Sequence, residues 1–484
     1  MKPILKTTIA FILILSFHTG YTQTLTWTGN TNANWNIPGN WSGGVVPNST
    51  YNVIIPANPT RQPFISSANA SCKSLTINSG ATLTVSGYTL SVSNDINISG
   101  KLTMNNQSGI INAYGDVNWE SGSTADFTAN TLFYVYGGWK FQTGSNVNLT
   151  YGTVVFTGPN TNNILCNSAS SAFNNIAINK SSNAILGINT YSNFPLQING
   201  YIDVYNGSTL HVYSSKDLII KGNIISNGVF QCYDGTVKLV GTSQSLRMNT
   251  GDYFNNLTFN QSGTVTINNT NTNIVEVKKD VVINSGVFNM QDRIMRVGGN
   301  WTNTKGSSAF NAGTGRVIFN GSGHQYVKSS EKFNILEIDK GAALRVDSAS
   351  YIVICNKYEW KKGSIDVYKG TFTALDLVNN GIYGSYYVNP GGTINLHQDA
   401  SGWIDLNGKF NFNGGGTINV FGGSGYSYWA RGGNAEIYMN GGVLDFKNQG
   451  IYIYNPSSYT FTHNITGGTI RTSKGLSCYR TDFT

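Results

Sequence analysis

Charge is scarce in this chain of 484 residues. Asp, Glu, Lys and Arg make up 11% of it, and only 23 residues are acidic. Sugar-cleaving sites need two or three carboxylates on one exposed face, or carboxylates with Ca²⁺ or a basic residue. Here no Asp-Asp, Asp-x-Asp or short-range acid–His pair occurs, and His397 with Asp399, on a turn beside Gly402, comes closest. Gly-x-Ser-x-Gly, Walker-type and His-Glu-x-x-His patterns are missing too, so the sequence offers no catalytic residues. The net charge of +8 includes Lys2 and Lys6, and the other basic residues are scattered without a stripe. That distribution argues against a nucleic-acid partner. The five cysteines, Cys72, Cys166, Cys232, Cys355 and Cys478, form no C-x-x-C pair. They read as small buried hydrophobes, with no metal site and no cofactor implied. Long apolar runs are lacking as well. The run Ile9–Phe17 follows Lys2 and Lys6 and precedes Gly20 and Thr22, which marks residues 1–22 as a secretory signal cleaved before Gln23. No later run reaches the roughly 18 apolar residues of a membrane span.

Glycine is plentiful, with 56 residues, and so is asparagine; both suit turns. Four copies of one pattern organise the C-terminal part: Gly391-Gly-Thr-Ile394, Gly415-Gly-Thr-Ile418, Gly441-Gly-Val-Leu444 and Gly467-Gly-Thr-Ile470. Their spacings of 24, 26 and 26 residues mark a repeat architecture. Apolar Ile394/Leu396, Ile418/Val420 and Leu444/Phe446 alternate with Asn395, Asn419 and Asp445, which is strand periodicity. Two further strand patterns per copy complete one coil of a parallel β-solenoid. The spacing predicts an inward ladder of Ile394, Ile418, Leu444 and Ile470 and an outward one of Asn395, Asn419 and Asp445. Continued from Leu75 at about 24 to 27 residues per coil, it predicts roughly 16 coils and a rod on the order of 75 Å long.

A longer unit repeats in the middle. Gly152-Thr-Val-Val-Phe156 precedes Phe173-Asn-Asn-Ile176, Gly235-Thr-Val-Lys-Leu239 precedes Phe254-Asn-Asn-Leu257, and Gly315-Arg-Val-Ile-Phe319 precedes Phe333-Asn-Ile-Leu336. The starts lie 83 and 80 residues apart, a spacing that reads as three coils. Trp139, Ile224 and Trp301 hold equivalent bulky positions upstream. At the N-terminus Trp27, Trp35 and Trp41 fall within 15 residues. Their place before the first regular coils reads as a cap over the solenoid end, with a sugar platform as the alternative.

These motifs resemble the repeats of large exported surface proteins of Gram-negative bacteria that use the type IX secretion route. The resemblance rests on Gly315-Arg-Val-Ile-Phe-Asn-Gly-Ser-Gly-His324, Phe333-Asn-Ile-Leu336 and Gly298-Gly-Asn-Trp301. It extends to the opening Trp27, Asn40-Trp41-Ser-Gly-Gly, Val46-Pro47 and Val53-Ile-Ile55. It covers nearly the whole mature chain, and its motifs determine fold without carrying catalytic identity. It implies an all-β, right-handed, single-stranded parallel β-helix and a role in adhesion or surface coverage. Such proteins end in a β-sandwich sorting domain, whereas this sequence stops at Tyr479-Arg-Thr-Asp-Phe-Thr484, in what reads as mid-coil.

The expected organisation is therefore a signal at 1–22, an aromatic cap and first strands at 23–74, and a solenoid of roughly 80-residue units at 75–340. Gly-Gly coils occupy 341–484, with an open end expected to self-associate. A column of outward aromatics is the candidate binding platform: Trp403, Tyr428, Trp429, Tyr452 and Tyr454, with Arg431 alongside. Stacked on pyranose faces it would hold a polysaccharide or a host or neighbouring-cell surface; otherwise it is a stiffening aromatic ladder. Two functional readings stay open, an exported surface scaffold or adhesin and a carbohydrate-active enzyme whose acids meet from distant coils.

Overall fold

The structure, a computed structural model, describes residues 23–268, 272–377, 381–398, 404–422, 425–453 and 459–478. The expected signal at 1–22 and chain end at 479–484 lie outside the described residues, as do Asp399, Trp403 and Tyr454. The described residues are almost entirely strand, interrupted only by short 3₁₀ turns at Pro38–Asn40 and Ser307–Ala309.

Each coil consists of three short strands. The chain passes from Ser74–Ile77 to Thr82–Val85 and Thr89–Val92, then returns to the first direction as Ile96–Ile98. Strands of the next coil stack in parallel register: Leu75 on Ile96, Leu83 on Leu102, Leu90 on Ile111. The product is a parallel β-solenoid of about 19 turns with three faces. Alternation puts every second side chain inside. On the third face Leu90, Ile111, Phe133, Val154, Ile176, Ile202, Ile224 and Leu246 form one inward column. None of them is more than 1% exposed, and burying each such side chain contributes about 1.5–3 kcal/mol.

The C-terminal ladders follow the expected register. Ile394 pairs with Ile418, Ile418 with Leu444, and Leu444 with Ile470. Outside them, Asn419 Nδ2 donates to Asn395 Oδ1 at 2.8 Å. The same side-chain amide contact joins Asn118 to Asn97 at 2.9 Å and Asn413 to Asn389 at 2.8 Å. Asparagine is abundant because an amide can both donate to the coil below and accept from the coil above.

Coil length departs from expectation. Cross-coil hydrogen bonds join residues 22 apart at Ser74 and Asn52, 20 apart at Asn255 and Gly235, and 26 apart at Tyr201 and Asn175 as well as at Gly414 and Asn440. The long unit consequently does not span three coils. Three whole coils carry Val154 through Ile176 and Ile202 to Ile224. The chain must then cross Val229–Cys232 before Thr236–Leu239 begins the second unit, on the column of Phe173, Ile198, Ile220 and Leu239. From Val237 three coils lead through Leu257 and Val281 to Trp301, and Phe310–Asn311 intervenes before Arg316–Phe319 opens the third unit. Each unit is thus three and two-thirds coils long, and its three copies start on three different faces. The local bonds survive this rotation: Asn174, Asn255 and Asn334 each donate their Nδ2 to the carbonyl of their unit's glycine, Gly152, Gly235 and Gly315.

The three tryptophans at the N-terminus form a plug. Trp27, Trp35 and Trp41 are 1%, 0% and 3% exposed. Trp41 meets Trp27 and Trp35 edge-to-face, with centroids 5.0 and 4.7 Å apart, and its indole N–H donates to Trp35 O. Burial removes them as a sugar platform. The strand Thr24–Thr26 already pairs in parallel with Asn52–Ile55, so the ladder starts inside the cap. Cys72, Cys166, Cys232 and Cys355 are buried free thiols, while Cys478 is exposed. Burial pushes Cys72 up to about 12 and holds Cys166 and Cys232 at about 11.

Candidate ligand-contact surface

Most of the few charged side chains serve as cross-links between coils. Lys140 meets Asp116 at 2.7 Å, Lys238 meets Asp217 at 2.6 Å, and Lys409 meets Glu436 at 3.3 Å. The densest group is Arg316, clasped by Glu337 and by both oxygens of Glu359 at 2.7 and 2.9 Å. Those two carboxylates are close neighbours, as an acid–base pair would need to be. Both are bound to one guanidinium, however, and only 8% and 17% of their side chains are exposed. The group ties three successive coils together. His397 stacks on Phe421 of the next coil, with ring centroids 4.1 Å apart.

Of the six residues expected on the aromatic platform, three come together outside. Tyr428 and Tyr452 pair in adjacent coils, ring centroids 5.0 Å apart. The Arg431 guanidinium sits 4.6 Å above Tyr428, and its Nε meets Asp405 at 2.6 Å. Trp429 requires a correction: it faces inward at 3% exposure and stacks on Phe461, centroids 4.9 Å apart. Its strand Tyr426–Trp429 alternates with Ser427 and Trp429 inside. Buried Ser427 bonds to the equally buried side chain of Gln449, so the inward register contains a polar residue that disguises it. Trp403 and Tyr454 lie outside the described residues. The rings that remain pack along the rod at the coil spacing and form a narrow aromatic strip.

A second surface escaped the sequence reading. An open groove of about 470 Å³ runs along one corner, lined by Tyr326, Arg345, Asp347, Tyr368, Lys369 and the segment Asn389–Pro390. Tyr326 and Arg345 are register partners in adjacent coils. Arg345 lies between two rings, 5.9 Å from the Tyr326 centroid and 5.2 Å from that of Tyr368. Its Nη1 donates to Tyr326 Oη at 3.1 Å, its Nη2 contacts His324 Nε2 at 3.0 Å, and its Nε faces Asp366 at 3.6 Å. Burial raises the Asp366 carboxyl above its usual range, opposed by its bond from Ser364 and by Arg345. The signal in the sequence is an outward Tyr and Arg only 19 residues apart, shorter than the 24- to 26-residue Gly-Gly period.

With this geometry in hand, comparison with known proteins adds one match. The family described as Domain of unknown function (DUF8693) matches residues 26–136, the Trp plug and the coils up to Leu132–Val135, less than half of the chain. No curated protein matches the chain, and no solved structure does.

Proposed function

We infer that the chain is an exported, non-enzymatic β-solenoid that acts as a surface scaffold or adhesin and touches glycans through outward aromatic side chains. The observation that carries this reading is how the polar surface is used. Asn columns and cross-coil ion pairs join each coil to the next, which gives a stiff rod with side chains displayed at regular intervals. The outward rings of Tyr428 and Tyr452 add amphipathic contact surface of the kind sugars stack on. The reading includes the resemblance to type IX surface proteins and the signal-like residues 1–22.

The test is surface labelling of intact cells that make the protein, paired with a glycan array probed with residues 23–484. The reading expects labelling without lysis, or protein in the medium, together with glycan retention that Tyr452→Ala reduces. Protein released only by lysis would overturn it. The enzymatic alternative has one observation in its favour, the neighbouring Glu337 and Glu359. It requires depolymerisation of a polysaccharide that Glu359→Gln abolishes.

A further inference from the structure

We propose that the corner groove between Tyr326 and Pro390 is a binding site for a neutral oligosaccharide. Four successive coils build it, contributing Tyr326, then Arg345 with Asp347, then Tyr368 with Lys369, then Asn389 with Pro390. At about 4.8 Å per coil, the groove extends on the order of 15 Å along the rod. Its volume of about 470 Å³ falls in the range of ligand sites. That length suits a short chain of sugar rings lying parallel to the rod axis.

The chemistry of the lining selects the ligand class. Arg345 is held by Tyr326, His324 and Asp366 and spaces the two tyrosines. Tyr368 is 40% exposed and gives the site its accessible ring. Asp347 and Lys369 flank that ring, both exposed, and neither side chain has a hydrogen-bond or ion-pair partner among the described residues. One accepts hydrogen bonds and the other donates them. Together with Arg345, Asp366 and Lys328, whose ammonium lies 5.6 Å from the Tyr326 centroid, they interleave charges of both signs, so an ionic ligand of either sign meets a like charge. A negatively charged sugar would meet Asp347, and a cationic one would meet Lys369. A neutral pyranose can rest a face on Tyr368 while its hydroxyls reach both flanks.

This proposal does not rest on export or adhesion, and the site is separate from the Tyr428–Tyr452 strip. Isothermal titration of residues 23–484 with cellohexaose, laminarihexaose, xylohexaose and hexagalacturonate tests it. Saturable binding of at least one neutral hexamer is expected, tighter than that of hexagalacturonate. Tyr368→Ala should weaken it about tenfold or more, the loss of one stacking ring, and Asp347→Asn should weaken it several-fold. Tyr191→Ala, which removes an exposed ring from a coil outside the groove, should leave it unchanged. Thermal melts of each variant show whether the fold is intact. Tighter binding of hexagalacturonate, no binding of any neutral hexamer, or binding that survives Tyr368→Ala would overturn the proposal.

Discussion

At Gly442 the backbone holds φ at +80°, and a Cβ there would lie 2.6 Å from Gly416 O in the coil beneath. Gly442→Ala should therefore cost about 1–3 kcal/mol in urea unfolding, as a left-handed residue with no room for its side chain. Two lysines occupy the opposite kind of position. Lys180 and Lys340, each seven residues after its unit's phenylalanine, are 4% and 1% exposed. The Lys180 ammonium donates to Thr157 O, Asn160 O and Asn162 Oδ1, and that of Lys340 to Gly323 O and Ala343 O. The middle unit places Gln261 there, also buried. Burial pulls both lysines down to about 8 and pushes the Asp252 carboxyl up to about 6. A lowered lysine contributes stability that is present above its unfolded value near 10.5 and lost as pH falls through 8. A raised aspartate contributes stability that is present below about 3.8 and lost as pH rises through 6. These three groups together should give a shallow stability minimum between pH 6 and 8, measured by urea midpoint against pH. Lys180→Gln should flatten the alkaline limb; an unchanged limb would show that Lys180 titrates at its ordinary value. The Gly-Gly steps were legible in the sequence because glycine marks special backbone. The buried lysines were not, because a lysine in an alternating strand reads as solvent-facing until the coil above it is placed.

Among elements, the strand beginning at Thr417 shows how strictly register is held. Ile418 is fully buried between Ile394 and Leu444, while Asn419 points outward into the amide column. Asn419→Ala should cost about 0.5–1.5 kcal/mol, whereas Ile418→Ala should cost about 2–5 kcal/mol. Equal losses at the two positions would contradict the inward–outward assignment. The N-terminal plug is local in the same sense. Trp41→Ala should raise amide exchange in Thr24–Thr26 and Asn52–Ile55 and leave Gly392–His397 unchanged, because each coil contacts only its neighbours. The short strands and their pairing were readable from period-two alternation. The phase of the long unit was not: its 83- and 80-residue steps divide differently by a 22-residue coil than by a 26-residue one. Trp429 failed for a related reason, since Ser427 shares its inward column.

For the whole molecule, the claim that the proposed functions share is one unbroken rod. Among the described residues the inward columns pass from the long units into the Gly-Gly coils, where Val367 pairs with Val388 and Phe372 with Ile394. A scaffold that displays side chains at fixed intervals, and a groove assembled from four coils, both need that continuity. Small-angle X-ray scattering of residues 23–484 tests it most directly. About 19 turns at about 4.8 Å each predict, for a single chain, a maximum dimension on the order of 90–100 Å and the scattering of a rod. A maximum dimension near 60 Å, the value for a compact globule of this length, or a profile of two bodies joined by a flexible link would contradict it.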